Sequence, residues 1–407
     1  MKKYTPRAEN RTKSEVSNIK KCIYCLKEKE DSEFSLEHII PKFLGGAYAP
    51  DYLKTRNVCK KCNNDLGIFV DAGFEKDFLI NNYLKIIEIE TFDPENPKPL
   101  PLICMGKNRE ISPPGMSECE ICENWIGPLG ETIFLIRPKE ENLYWYSGGN
   151  PIISRKCESR AYFFFSIRTE KKPEISLLAF RNSFKKQKVK KILCTVANGL
   201  DIKKIGFSLP DELDQKRINY FKENIFVEDC SVAAEFSSYI NFDFRFLAKL
   251  GVGLSHALFG EKVSNDEYHK LMIEAIWHRD TENYPSIKGT STFGSINKDE
   301  NLKKLLGIKN SITLMIMQNH AGVSLSLNIS TEFNAIIKIA SKESLTAQDL
   351  EIIGKGIVII LCKPMKFGVV MKYGEYIQYK CGYINHPELD KIAQRAKKKK
   401  DYFLNNN

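Results

Sequence analysis

The chain has 407 residues, 43% of them hydrophobic and 11% aromatic, enough to fill the cores of two or three domains and to mark a globular protein. No run approaches the roughly 20 apolar residues that span a bilayer, and Met1-Lys2-Lys3-Tyr4-Thr5 leads into polar residues instead of a secretory segment, so a cytoplasmic protein with no membrane partner is expected. A balance of 61 Lys and Arg against 51 Asp and Glu, a formal charge of +10, favours polyanionic partners, and twelve cysteines in a reducing compartment read as metal ligands and buried thiols, not as disulfides.

Residues 1–20 are polar and without periodicity and read as a mobile arm. The next segment, 21–90, reads as a small module. In it Phe34 to Ile40 has strand character, and Gly45-Gly46 allows the sharp return of a hairpin. From Asn63 to Phe78 the apolar residues Leu66, Phe69, Val70, Phe74 and Phe78 recur at three- and four-residue spacing, which predicts a helix lying on that hairpin. TFDPENPKPLP, Thr91 to Pro101, holds four prolines and marks a linker.

Residues 91–240 read as a mostly antiparallel β/α region. Strands are predicted at Thr132–Ile136, Leu143–Tyr146, Ala161–Arg168, Ile175–Phe180 and Lys191–Val196, and a helix over Asp211–Phe226 capped by Ser208 or Asp211. Residues 241–407 read as a helical hairpin plus strands, with a regulatory or target-recognition role. RFLAKLGVGLSHALFG, from Arg245, is apolar nearly all round and should be buried, and a second helix opens with Ser264 and Glu267 in capping-box spacing. Strands return at Ile312–Met317, Val323–Ile329, Gly356–Leu361 and Gly368–Met371. Two basic clusters, one of Arg181, Lys185, Lys186, Lys188, Lys190 and Lys191 and the other of Arg395 with Lys397 to Lys400, offer phosphate contacts or simply solvated faces, the last also a frayed tail.

Chemistry concentrates between Cys22 and Asn64. Two Cys-x-x-Cys knuckles, Cys22/Cys25 and Cys59/Cys62, can complete one tetrahedral Zn²⁺ site, with reduced free thiols as the plain alternative. Between them lies Glu37-His38-Ile39-Ile40-Pro41, and Asn63-Asn64 follows the second knuckle directly. Hydrolysis of a phosphodiester needs a base for water and a cation for the charge that develops at phosphorus and on the leaving oxygen. His38 suits the base because its pKa lies near neutrality, whereas Glu37 and Asn63 offer hard oxygen ligands to Mg²⁺ or Mn²⁺. Asn63 also suits a helix N-cap. Adjacent strand residues point to opposite faces, so Glu37 and His38 converge on one phosphate only if the metal sits beside the hairpin.

CIYC (22–25), EHIIPKFLGG (37–46) and VCKKCNNDLG (58–67) resemble the zinc-stapled subgroup of HNH endonucleases, the ββα-metal nucleases, over about residues 20–80. The resemblance implies a small N-terminal ββα-metal module, and with the strand and helix pattern beyond it the chain reads as α+β, the module preceding a larger α+β body with an antiparallel sheet and a helical hairpin. It implies His38 as general base, Glu37 and Asn63 as ligands of the catalytic metal, Cys22, Cys25, Cys59 and Cys62 as ligands of structural zinc, and DNA as substrate. Two departures stand out. The family's middle asparagine is replaced by Lys54, with Asn57 the nearest candidate, and Glu37 stands for the commoner aspartate. KLGVGLSHALFGEKVSNDEYHKLMIEAIW, from Lys249, is similar to the second half of multidomain nucleases of defence against phage or of restriction type. Alternatives are a catalytically silent zinc-stapled DNA-binding module and a nuclease effector activated by a small molecule or partner protein, either of them able to form a homo-oligomer.

Other motifs carry less. Cys119-x-x-Cys122 makes a second zinc site only if Cys104 or Cys157 joins it. His256, His269, His278, His320 and His386 lack metal spacing, with His269 and His278 read as helix-surface residues, and Gly251-x-Gly253 reads as close helix packing.

Overall fold

The computed structural model describes residues 19–139, 157–184, 188–195, 201–227, 231–238, 240–279, 283–291 and 299–404. The expected mobile arm up to residue 18, the expected strand Leu143–Tyr146, and Lys185 and Lys186 of the middle basic cluster lie outside these residues. The chain is α+β, and no described helix is long and apolar enough to cross a membrane.

The N-terminal module is built from two short antiparallel pairs and a run of helix. β1 (Ile19–Lys21) pairs with β2 (Glu28–Glu30), and β3 (Phe34–His38) pairs with β4 (Lys54–Cys59). The glycine pair sits where expected, but in a loop of 3₁₀ turns that joins β3 to β4, not in a tight hairpin return. There Gly45 has φ +92°, and a Cβ on Gly46 would overlap the Ile40 carbonyl. Helix follows at once: α1 (Lys60–Leu66), a π-helical turn (Gly67–Asp71), α2 (Ala72–Lys76) and, after Asp77 caps a new start, α3 (Phe78–Glu90). The helix therefore starts three residues before Asn63.

A six-stranded sheet, in spatial order β10-β5-β6-β7-β8-β9, comprises β5 (Ile103–Asn108), β6 (Glu120–Ile126), β7 (Thr132–Pro138), β8 (Glu158–Phe164), β9 (Lys188–Leu193) and β10 (Ala234–Glu235). All its pairings are antiparallel except β8 with β9. The crossover between those two carries α4 (Ile167–Lys171) and α5 (Pro173–Asn182). The expected strand Ile175–Phe180 is thus a helix. Its apolar residues alternate in part as a strand's would, but Pro173 at the first helical position presets φ, and Ile175, Leu177, Ala179 and Phe180 bury on one sheet face. On the other face lies α6 (Glu212–Asn224), capped by Asp211 as expected.

The last part joins α7 (Ile240–Phe259) and α8 (Glu267–Trp277), the expected hairpin, to a second six-stranded sheet in the order β11-β14-β13-β12-β15-β16. Its strands are β11 (Gly289–Thr290), β12 (Ile312–Asn319), β13 (Gly322–Ile329), β14 (Phe333–Ser341), β15 (Ile357–Cys362) and β16 (Phe367–Lys372), with α9 (Glu300–Leu306) before β12 and α10 (Ala347–Ile353) before β15. The cap of α8 is Asp266, whose carboxylate accepts from Tyr268 N, and Ser264 lies in the preceding 3₁₀ turn. The centre of this sheet is covered on both faces, which is why β15 reads IVIILC without polar alternation. Ile359 and Leu361 face the N-terminal module and α7, while Val358, Ile360 and Cys362 face the C-terminal helices α11 (Tyr373–Lys380) and α12 (Pro387–Leu404). The basic C-terminal run is consequently helix, tied down by Arg395–Asp93 at 2.6 Å and Lys399–Glu90 at 2.6 Å.

One cluster of buried side chains decides how the parts relate. Cys22, Tyr24, Ile39, Leu66 and Phe74 of the module pack into the same core as Phe246, Leu250 and Leu254 of α7 and Leu314, Leu325 and Leu361 of the second sheet.

Candidate functional site

The knuckles take their shape from backbone geometry. Leu26 has a left-handed φ of 55°, and its N–H bonds the Cys22 carbonyl at 2.8 Å, closing the turn that presents Cys22 and Cys25. Cys59 ends β4 and Cys62 lies in the first turn of α1, with Cys59 N donating to Cys22 Sγ at 3.4 Å. The four sulfurs lie within 4.8 Å of one another. Tetrahedral zinc with Zn–S near 2.3 Å sets its sulfurs about 3.8 Å apart, so the donor set and its spacing fit that ion. A hydrogen bond from Cys62 pulls the Cys22 thiol down to about 4 against its burial, and the same bond, with burial, pushes Cys62 up. Burial also raises Cys25. Ionising all four sulfurs at this spacing would take a bound cation to offset their mutual repulsion.

Strand β3 distributes the next residues. Its ladder with β4 shifts register between Ser35 and Glu37, and beyond the shift Glu37 pairs with Thr55 and His38 with Lys54. Glu37 turns inward and is 6% exposed, whereas His38 stays half-buried on the other side. Burial, then Lys42 and Lys54, lowers the His38 pKa, so the imidazole is held neutral. Lys54 stands directly across the ladder from His38 and pairs with Asp51 at 2.7 Å. Asn57 joins β4 to the first knuckle, its carbonyl accepting from Ile23 N at 3.0 Å.

Asn63 is not the N-cap of its helix, a position held by Cys59. Its Nδ2 donates to Ser35 Oγ at 3.0 Å and to the Leu36 carbonyl at 3.1 Å, so the amide is strapped to β3 two residues ahead of His38. Oδ1 is the atom of that amide not used in holding helix to strand.

Glu37 meets a partner from the far end of the chain. Lys249, in the middle of α7 and 2% exposed, brings Nζ to 2.9 Å from Glu37 Oε1 and donates to Asp71 Oδ2 at 2.6 Å. The Glu37 contact is an ion pair outside hydrogen-bond angles, and Asp71 Oδ1 and the Tyr24 hydroxyl are buried without a hydrogen-bond partner. Asp71 is the last residue of the π-helical turn, which re-aims it toward Glu37. Burial raises both carboxyl pKa values while Lys249 pulls them back, and the lysine itself is raised because Asp71 and Glu37 outweigh its own burial. Sequence reading missed Lys249 and Asp71. The signal was present for Lys249, since a lone ammonium inside an apolar helix must find carboxylates or remain uncompensated.

The remaining candidates stay apart. Cys104 and Cys122 are buried on opposite faces of the first sheet, and Cys119 and Cys157 are exposed, so among the described residues only Cys22, Cys25, Cys59 and Cys62 form a metal-sized group. His269 is buried, 1% exposed, against Ser255 Oγ at 3.4 Å, and is not a surface residue, because α8 turns that face toward α7. The close packing expected at Gly251 and Gly253 is present: a Cβ on Gly253 would lie 2.7 Å from Ile39 Cγ2 and 2.9 Å from the Tyr24 hydroxyl.

Residues 22–79 match a family model described as HNH endonuclease. No curated protein and no solved structure matches the chain. The matched segment contains both knuckles, Glu37, His38, Asn63 and Asp71. The N-terminal segment is accordingly a zinc-stapled module of HNH nuclease type.

Proposed function

We propose that the protein is a metal-dependent endonuclease that hydrolyses phosphodiester bonds in DNA. The observation that carries this reading is the strapping of Asn63 to the backbone beside His38, by a helix whose first turn is also held through the cysteine cluster. His38, kept neutral by burial and by two lysines, accepts the proton of the attacking water. Glu37 and Asn63 would hold Mg²⁺ or Mn²⁺ through oxygen. When bound, such an ion neutralises charge on the phosphate and the leaving oxygen. Lys42 and Lys54, flanking His38, favour an approaching phosphate. The zinc ligands Cys22, Cys25, Cys59 and Cys62 fix the relation of β3 to α1.

Plasmid DNA incubated with the purified chain and Mg²⁺ or Mn²⁺ should be nicked or linearised. His38→Ala should lower turnover by on the order of 10²–10⁴-fold, the usual range for loss of a general base. Undiminished cleavage by that variant would remove His38 from the mechanism. A second reading, a DNA-binding module without catalysis, is favoured by Lys54 standing where the family has asparagine. Tight, salt-sensitive binding with no cleavage across several divalent ions would select it. A defence role rests only on the resemblance read in the segment that starts at Lys249, and a plaque assay with the native and His38→Ala chains tests it.

A further inference from the structure

We propose that Lys249, held in place by Asp71, is a positioning residue of the nuclease centre, so that the body completes a site that the HNH-type module does not hold alone. This rests on the nuclease reading above, in which Glu37 is a metal ligand.

Lys249 lies 170 residues beyond the end of the matched segment, yet its ammonium reaches Glu37 Oε1 at 2.9 Å and Asp71 Oδ2 at 2.6 Å. With 2% of its surface exposed it exchanges these partners for little water, and a buried ammonium of this kind fixes the carboxylates it serves. Glu37 has one more rotatable bond than an aspartate would have, and needs more constraint to present its carboxylate in one orientation. The ion pair supplies that constraint.

Two roles compete for a lysine beside a metal ligand: an internal cation that must withdraw before a metal enters, or a fixed neighbour that orients the ligand. Packing decides against withdrawal. Phe246, one turn before Lys249, stacks on Phe74 at a centroid distance of 4.0 Å, and Gly253, one turn after, has no room for a Cβ against Ile39 and Tyr24. Trp277 Nε1 donates to the Tyr24 carbonyl at 2.9 Å, closing the same interface from α8. Helix α7 cannot lift Lys249 out without opening the common core. Charge counting agrees. One ammonium serves two carboxyl groups, and Asp71 Oδ1 has no hydrogen-bond partner. In the proposed site Lys249 takes Glu37 Oε1, and Oε2 is the oxygen that would meet a second cation.

The test uses the full chain carrying Lys249→Met, Lys249→Arg or Asp71→Asn. Zinc content, thermal stability and Mn²⁺ affinity by electron paramagnetic resonance are measured alongside DNA cleavage. Lys249→Met should keep stoichiometric zinc but weaken Mn²⁺ binding at least tenfold, with cleavage falling in parallel. Lys249→Arg should recover part of both, and Asp71→Asn should weaken Mn²⁺ binding severalfold. A loss of thermal stability alone, with Mn²⁺ affinity unchanged, would make the trio merely structural and overturn the proposal. Tighter Mn²⁺ binding in Lys249→Met would overturn it in the other direction, marking the ammonium as a competitor. Should Lys249→Met fail to fold, unchanged Mn²⁺ affinity in both Asp71→Asn and Lys249→Arg overturns it equally. If the native chain neither binds Mn²⁺ nor cleaves DNA, the nuclease reading itself falls.

Discussion

His38 resists protonation because burial, Lys42 and Lys54 all disfavour the imidazolium, with burial the largest influence. A base must be neutral to accept a proton, so in the proposed mechanism cleavage should be lost as pH falls through the His38 pKa, which lies below the ordinary 6.5. Activity should therefore persist into mildly acid solution. Removing Lys54 takes away one of the like charges, which lets the pKa rise, and Lys54→Met should move the acid limb of the pH–rate profile toward higher pH. A limb that stays in place would show that His38 is not the group titrating. Glu37 illustrates the opposite environment one residue away. The register shift in β3 sends its carboxylate inward to Lys249 instead of out toward solvent.

At the scale of elements, the short strands, their turns and the brief helix α1 bury Tyr24, Ile39, Val58 and Leu66 in the common core, and the cysteine cluster cross-links the two knuckles that hold them. A structural zinc contributes on the order of 10 kcal/mol in small modules. Cys59→Ser should lose the metal and expose amides 22–80 to rapid hydrogen exchange. Because Tyr24, Ile39 and Phe74 pack on α7, exchange should also quicken across Phe246 to Leu254, while β15 and α11, which bury Ile360 and Tyr376 on the opposite side of the second sheet, stay protected. Retention of stoichiometric zinc by that variant would show the ligand set to be wrong. The π-helical turn at Gly67–Asp71 has a separate consequence, since a regular helix would carry Asp71 around the axis and away from Lys249.

For the whole molecule, the shared core makes the body a wall of the nuclease module, and charge gathers at a third place. A cleft of about 690 Å³ runs between α4, α12 and the start of β12, with Arg168, Lys172, Lys309, Lys397, Lys399 and Lys400 among its lining residues. Lys172 is buried and lies 3.6 Å from the centre of the Tyr402 ring. Folding of the C-terminal run into α12 thus concentrates cations that an extended tail would have spread out. A lysine that neutralises one DNA phosphate accounts for close to one unit in the slope of log affinity against log salt. Charge reversal at Lys397 and Lys400 should weaken binding of duplex DNA and flatten that dependence, measured by anisotropy over a salt series. Unaltered binding would place the DNA path elsewhere.

Local chemistry determined the parts that reading in one dimension could reach. Two Cys-x-x-Cys pairs at short separation announced the cysteine cluster, the motifs around them announced a module of HNH type, and the start of α6 was placed at one of two candidate caps, Ser208 or Asp211, of which Asp211 holds the position. These depend on neighbours within a few residues, where spacing and geometry are nearly the same thing. The helix at Ile175–Phe180 escaped because part of its apolar spacing suits a strand as well, and burial of His269 escaped because only α7 makes that face interior. Tertiary structure alone decided that Glu37 points inward, that Asp71 joins it, and that Lys249 closes the group from far along the chain. The physical reason is the length of the loop between the partners: nothing in local backbone preference specifies which buried carboxylate a distant ammonium will meet until the common core has brought them together.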